Sequence, residues 1–208
     1  MASLVKTLAG AAFAAVLAGT AFAQSAQPAA QTARIRGQIT AVDGKTLTIR
    51  TREGGTASVD LADDARVMAL EKASIADVKP GRYIGVTAMP QPDGRQRAIA
   101  IHIFTEQQRG VGEGHRPWDL KPDSTMTNAA VDTVLAEGKD GELLTVKYKD
   151  GEKTIVVPPD TPVVAYAPGR RDEVKPGAEI IISAATLQPD GRWRAPAINV
   201  GRGVTPPM

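Results

Sequence analysis

The amino-acid sequence predicts an all-β chain of two small antiparallel β-barrels in tandem, each with one short helical turn. The first observation is a Val-Lys-Pro-Gly turn at residues 78–81 that recurs at 174–177. The second is a Gln-Pro-Asp-Gly-Arg turn that follows it both times, at 91–95 and 188–192. Turn signals repeated in the same order at nearly constant separation indicate a duplicated structural unit.

The first copy is predicted over residues 34–104. An Asp-Gly pair at 43–44 is typical of a hairpin turn, and apolar residues alternate with polar ones over 47–51, as in a strand with one wet face. The Asp pair at 63–64 is expected to separate two further short strands. A helical turn at 74–78 and two final strands complete the unit.

The second copy, residues 129–200, repeats these elements. An Asp-Gly hairpin turn falls at 140–141, and the apolar positions of each strand match those of the first copy. Each copy is too small for a flat sheet to bury its apolar face and protect its edges, so closure into a barrel is the expected solution.

The first 23 residues are predicted to be a signal peptide. Lys6 precedes a short Ala-rich apolar run that ends in Ala21-Phe22-Ala23, a small-x-small cleavage pattern. Residues 24–33 are expected to be a flexible leader and 201–208 an irregular tail. The chain has no cysteine, which excludes disulfides and lipid attachment at a lipobox. We therefore expect a periplasmic protein with no membrane span in the mature chain.

The segment between the copies, residues 105–128, has no counterpart in either copy and is predicted to be an ordered linker. It combines three glycines with His115, Arg116, Trp118 and Asp119. Trp118 would offer a flat apolar platform with an N–H donor, and Arg116 could bind a carboxylate or phosphate. These four residues are the predicted ligand or partner site. The alternative is that Trp118 only docks the linker between the barrels while the charged residues solvate it.

A divalent metal is the alternative cofactor, held by Glu113, His115 and Asp119, with Asp123 as an additional ligand. Imidazole and carboxylate ligands suit Zn²⁺ or a similar ion, although one His with loosely spaced acids is a weak signal. No calcium-loop pattern is present, so the Asp pair at 63–64 is better explained by a strand-ending turn. Otherwise no cofactor is expected.

Other chemistries find little support in the sequence. There is no Cys, no Gly-x-Ser-x-Gly and no His-Glu-x-x-His, so catalysis is not expected. The net charge of +2 provides no concentrated basic surface for nucleic acid. His102 lies between two isoleucines and aligns with Asn199 of the second copy, which predicts an outward-facing surface residue.

The strand beginning near Gly37 with its Asp43-Gly44 hairpin, the Val-Lys-Pro-Gly turn and the later Asp-Gly hairpin resemble the small OB-like β-barrel domains of exported bacterial proteins. That resemblance covers both copies and implies a fold, but no reaction. The functional expectation is a periplasmic, non-catalytic binding or scaffold protein whose partner is an unidentified protein or small ligand. A periplasmic metal-binding or metal-transport accessory protein is the alternative.

Overall fold

The computed structural model describes residues 31–137 and 141–207. The predicted signal peptide, all of the predicted leader before Gln31 and Asp140 of the second hairpin lie outside these residues. The described chain is all-β, and its strands are β1 (Thr32–Asp43), β2 (Thr46–Thr51), β3 (Thr56–Ala73), β4 (Tyr83–Pro90), β5 (Gln96–Ile103), β6 (Gly114–Pro117), β7 (Thr125–Glu137), β8 (Gly141–Tyr148), β9 (Gly151–Val157), β10 (Val163–Pro168), β11 (Glu179–Leu187) and β12 (Trp193–Arg202).

Short 3₁₀ turns interrupt the strands at three places, Ile75–Asp77, Glu106–Gln108 and Arg171–Glu173. The first and third confirm the predicted helical turn of each copy. The side chain of Asp77 accepts hydrogen bonds from the backbone N–H and the hydroxyl of Ser74, and Glu173 accepts one from the backbone N–H of Arg170. These contacts satisfy groups that a short helical turn leaves without backbone partners. No helix in the described ranges is both long enough and apolar enough to cross a bilayer.

The first group of strands forms a closed five-stranded barrel, here called the first ring. β1 pairs with β2, β2 with β3, β3 with β12, β12 with β11, and β11 returns to β1. Its interior is filled by aliphatic side chains, among them Ile39, Leu47, Leu61, Ile180 and Ile198. The alternating pattern that predicted these strands places the same apolar residues inward.

The second group, here called the second ring, follows the same cycle of pairs. β7 pairs with β8, β8 with β9, β9 with β5, β5 with β4, and β4 returns to β7. Its interior is again aliphatic, with Ile84, Val86, Ile101, Leu144 and Ile155. β10 continues from β9 and pairs in parallel with β5.

These strand pairs do not follow the predicted domain boundaries of 34–104 and 129–200. The first ring takes β1, β2 and β3 from the first half of the chain but β11 and β12 from the second. The second ring takes β4 and β5 from the first half and its other strands from the second. Each half therefore exchanges its last two strands with the other. A hydrophobic pattern specifies which face of a strand is buried but not which copy supplies its neighbour.

The exchange has the pattern of a two-fold axis between the halves. In the antiparallel β3–β10 pair, Leu70 lies opposite Tyr166, which is the equivalent residue 96 positions later. On either side of this pair, Lys72 lies opposite Val164 and Met68 lies opposite Pro168. Met68 and Val164 occupy equivalent positions of the two halves, and so do Lys72 and Pro168. A contact in which residue i meets j and j meets i is the mark of an isologous interface. The two rings thus meet at β3 and β10.

β3 differs from its prediction because it is one continuous strand. The predicted break at Asp63-Asp64 is wrong: the strand runs through both residues, with an irregularity in the β12 pairing opposite them. The second half does break at the equivalent place, between β9 and β10, where Pro158-Pro159 replaces Ala62-Asp63. Proline cannot donate a ladder hydrogen bond, and this is the physical difference between the two halves.

The predicted element ends also shift. Thr32 and Ala33 belong to β1 rather than to the leader, and the last four residues of the predicted linker form the start of β7. The rest of the linker is ordered, as expected. It contains the second 3₁₀ turn and β6, which pairs with β7 along the second ring.

Candidate ligand-binding cleft

The linker crosses from the second ring to the first and is fixed there by Trp118 and Asp119. The guanidinium carbon of Arg34, on β1, lies 3.7 Å from the centre of the Trp118 ring, a cation–π contact. The Asp119 carboxylate accepts a 2.7 Å hydrogen bond from Nη2 of Arg36 and lies 3.3 Å from Nη1 of Arg34. Burial opposes ionisation of Asp119, but the Arg36 hydrogen bond and the two positive charges outweigh it and lower its pKa.

The turn that follows Trp118 is closed by Ser124. The Ser124 hydroxyl accepts a hydrogen bond from the backbone N–H of Lys121 and lies within donor reach of the carbonyl oxygens of Trp118 and Lys121. Asp123 adopts a left-handed backbone with φ of 61°, a conformation that Asp tolerates better than most residues. The turn therefore holds Trp118 in a fixed position against Arg34 of β1.

A cleft of about 250 Å³ lies beside Trp118, between the two rings. Its wall is mainly apolar and aromatic and is formed by Met68, Phe104, Val111, Trp118, Met126, Tyr166 and Ile181. Leu70, Met126, Val164 and Ile181 form a small buried cluster next to it, with Trp118 and Tyr166 packed against that cluster. Clefts of mixed aromatic and aliphatic surface with a few polar groups are the usual form of small-molecule sites.

His102 lies in the cleft wall and is only 3% exposed, so the predicted surface position of this residue is wrong. Its side chain does point away from the flanking isoleucines, but that face of β5 meets the first ring instead of solvent. The ring contacts Phe104 and Tyr166 edge to face, with centres 4.7 and 5.7 Å away. Asn199, its counterpart, is also buried at 9%.

Gly85 makes the space for the His102 ring. A Cβ atom on Gly85 would stand 2.1 Å from Nε2 of His102 and 2.7 Å from Oδ1 of Asn128, both far inside contact distance. The equivalent position in the second half is Ile181, beside Asn199. The two halves therefore differ here: one combines a glycine with a histidine, and the other combines an isoleucine with an asparagine.

Several buried polar atoms around the cleft have no hydrogen-bond partner among the described residues. They are Nδ1 of His102, Oδ1 of Asn128 and Nε1 of Trp118. Asn128 uses its Nδ2 to donate to the carbonyl oxygen of Val111 at 3.1 Å. Unpaired buried polar groups cost free energy and are rare in native proteins, so these three atoms carry a local energetic cost beside the cleft.

The charged side chains of the cleft wall are all cationic. Arg66 projects from β3 and Arg116 from β6, and the described residues that line the cleft include no aspartate or glutamate. Arg116 donates to the carbonyl oxygen of Gly112 at 2.7 Å, and neither arginine forms an ion pair with a residue of the described ranges. Burial lowers the pKa of His102 to about 3, with a smaller contribution from the Arg116 charge, and burial raises that of Tyr166 to about 12. Both rings are therefore neutral near pH 7.

The structure brings together two of the four predicted site residues. Arg116 and Trp118 line the cleft, whereas Asp119 is occupied by the arginines of β1. His115 lies on β6 outside the cleft, where Nδ1 is 2.8 Å from the Thr127 hydroxyl. Burial, then the charges of Lys153 and Arg116, lower its pKa.

The predicted metal ligands do not converge. Glu113 accepts a hydrogen bond from the backbone N–H of Lys149 at 2.9 Å, and Asp119 and His115 have the separate partners described above. No group of three His, Asp or Glu side chains within residues 31–137 and 141–207 is arranged to hold a metal ion. The geometry gives the metal hypothesis no support.

Comparison with known proteins leaves the cleft as the main guide to function, since no family model, curated protein or solved structure matches the chain. Sequence reasoning missed His102, Asn128 and Tyr166 as cleft residues. For His102 the sequence contained one signal, because a polar residue occurs at the same strand position in both copies. Shared polarity on the outer face of equivalent strands also fits a buried contact between the copies.

Proposed function

We propose that this protein is a periplasmic, non-catalytic binding protein that holds a small ligand in the cleft between the two rings. The observation that carries the proposal is a cleft of largely apolar and aromatic surface on which a few polar side chains converge, among them Arg66, Arg116 and Asn128. A small ligand would pack its body against the aromatic rings and bind the polar side chains of the cleft through its own polar groups. In this proposal the linker is part of the site because it supplies Trp118 and Arg116.

The groups of the cleft also favour binding over chemistry. Its one histidine is neutral and enclosed by aromatic rings, and its tyrosine has a pKa of about 12. General acid–base catalysis works best with groups whose pKa lies near the working pH. Arginine, amide and hydroxyl groups on a rigid β framework instead suit recognition of a ligand that leaves unchanged.

The test is a small-molecule screen on the mature chain, followed by thermal shift and by Trp118 fluorescence. Replacing the other mature-chain tryptophan, Trp193→Phe, leaves Trp118 as the sole reporter. Ser183 is an exposed residue of the cleft wall, whereas its neighbour Ala184 is exposed and does not line the cleft. Ser183→Phe should therefore block binding and Ala184→Phe should leave it intact. The proposal is wrong if the ligands bind both variants equally, or if the screen finds no ligand.

A further inference from the structure

The unbalanced charge of the cleft indicates the chemical class of the ligand. Two guanidinium groups, from Arg66 and Arg116, approach it from the first ring and from the linker, and none of its lining residues carries a negative charge. A guanidinium that is partly withdrawn from water without a counterion is unfavourable, and Arg116 is half-buried. An anion bound in the cleft would supply the missing charge.

Arg116 stands at a polar end of the cleft. One of its terminal nitrogens and Nδ2 of Asn128 both lie 3.2 Å from the position of a Cβ on Gly112, so the two donor groups crowd the same point. Gly112 has a φ of 57° and lacks a side chain, which keeps this point open. The planar fork of arginine suits the two oxygens of a carboxylate.

The rest of the cleft wall is suited to contact the apolar part of a ligand. Phe104 and Tyr166 stack with ring centres 5.3 Å apart and planes inclined by 8°, and Trp118 and Met126 continue the surface. A cavity of roughly 150 Å³ accommodates benzene. By proportion, a cleft of about 250 Å³ accommodates about ten non-hydrogen atoms.

We infer that the ligand of this cleft is a small amphipathic carboxylate, with an aromatic or aliphatic body against the rings, its carboxylate bound at Arg116 and its charge also attracted by Arg66. This inference rests on the proposed function and specifies its ligand class. The simplest probe of matching size is 3-phenylpropionate. Its alcohol, 3-phenylpropan-1-ol, and its amine, 3-phenylpropylamine, keep the same body and change only the charge.

The experiment titrates each probe into the mature protein by calorimetry at low and at physiological ionic strength. The acid should bind at least about tenfold more tightly than the alcohol, the scale of a charge-assisted hydrogen bond. Affinity for the acid should fall with salt because screening weakens charge attraction, and the amine should bind more weakly than the alcohol.

Arg66→Gln is the preferred variant because Arg66 is exposed and its side chain forms no hydrogen bond or ion pair with another described residue, so its loss should leave the fold intact. This substitution should weaken binding of the acid about tenfold and leave binding of the alcohol unchanged. Arg97→Gln is the matched control, since Arg97 is an exposed arginine of β5 outside the cleft. If the alcohol or the amine binds as tightly as the acid, the inference is wrong while the proposed function stands. If none of the three binds and the screen also yields no cleft ligand, both fail.

Discussion

Acid should destabilise this protein through His102, because the folded state keeps the imidazole buried and uncharged. Burial among Phe104, Tyr166 and Gly85 lowers its pKa to about 3, whereas an unfolded chain has a histidine pKa near 6.5. Above pH 6.5 the residue is neutral in both states and contributes nothing to pH dependence. As the pH falls from 6.5 to 3, only the unfolded state takes up the proton, so the free energy of unfolding falls.

The size of the effect follows from the difference between the two pKa values. Each pH unit in this window costs about 1.4 kcal/mol. At pH 5 the loss is roughly 2 kcal/mol, and at pH 3 it approaches roughly 5 kcal/mol. A total stability of about 5–15 kcal/mol is usual for a domain, so a loss of this size is easily measured. The loss should level off below pH 3, where the folded state also binds the proton.

The assay is urea unfolding of the wild-type protein and His102→Asn at pH 7, 5 and 4. Asn is chosen because Asn199 occupies the equivalent buried position of the other half. The variant should be less stable than the wild type at pH 7. Its free energy of unfolding should, however, fall less steeply than that of the wild type as the pH is lowered. His115→Gln is the control: its pKa is also lowered, but it is half-buried, so it should remove less of the slope. Equal slopes for wild type and His102→Asn would refute the assignment.

Three further predictions concern the exchange of strands and the linker. Asp119→Ala should cost about 2 kcal/mol of stability, because it leaves the 5%-exposed Arg36 without its counterion. Gly85→Ala should cost about 2 kcal/mol through its clash with His102, and His102→Ala in the same chain should restore part of that loss. The separate fragments 31–104 and 105–207 should not fold as monomers, because each lacks two strands of one ring and three strands of the other, and mixing them should restore the β-sheet circular dichroism signal.

Each of these predictions has an outcome that would contradict it, and Asp119→Ala also has a matched control. Glu106→Ala breaks an exposed ion pair with Arg109 and should change urea stability by no more than about 0.5 kcal/mol. An effect as large as that of Asp119→Ala would mean that the contact of Asp119 with Arg36 stabilises the protein no more than an exposed ion pair does. If the losses of stability from Gly85→Ala and His102→Ala add up instead of compensating, the predicted clash between these two residues is wrong. For the fragments, gel filtration showing either one as a folded monomer would contradict the strand exchange.

The repeated turns, the inward apolar residues and the short helical turns were all predictable, because each depends on a few neighbouring residues. Asp-Gly pairs favour tight turns, and alternation selects the buried face of a strand. Composition also distinguished residues 105–128 from both copies, since a simple spacer would lack a residue such as Trp118.

The sequence by itself therefore determined the β elements, their inward faces and the place where the duplicated pattern is interrupted. Only the tertiary structure decided that each half gives two strands to the other, since equivalent strands carry the same inward pattern and either copy could complete a ring. That choice converts the outer face of β5 from a solvent-exposed surface into the wall of a cleft. It places His102 beside Gly85 and Tyr166, residues from distant parts of the chain whose proximity no local pattern records.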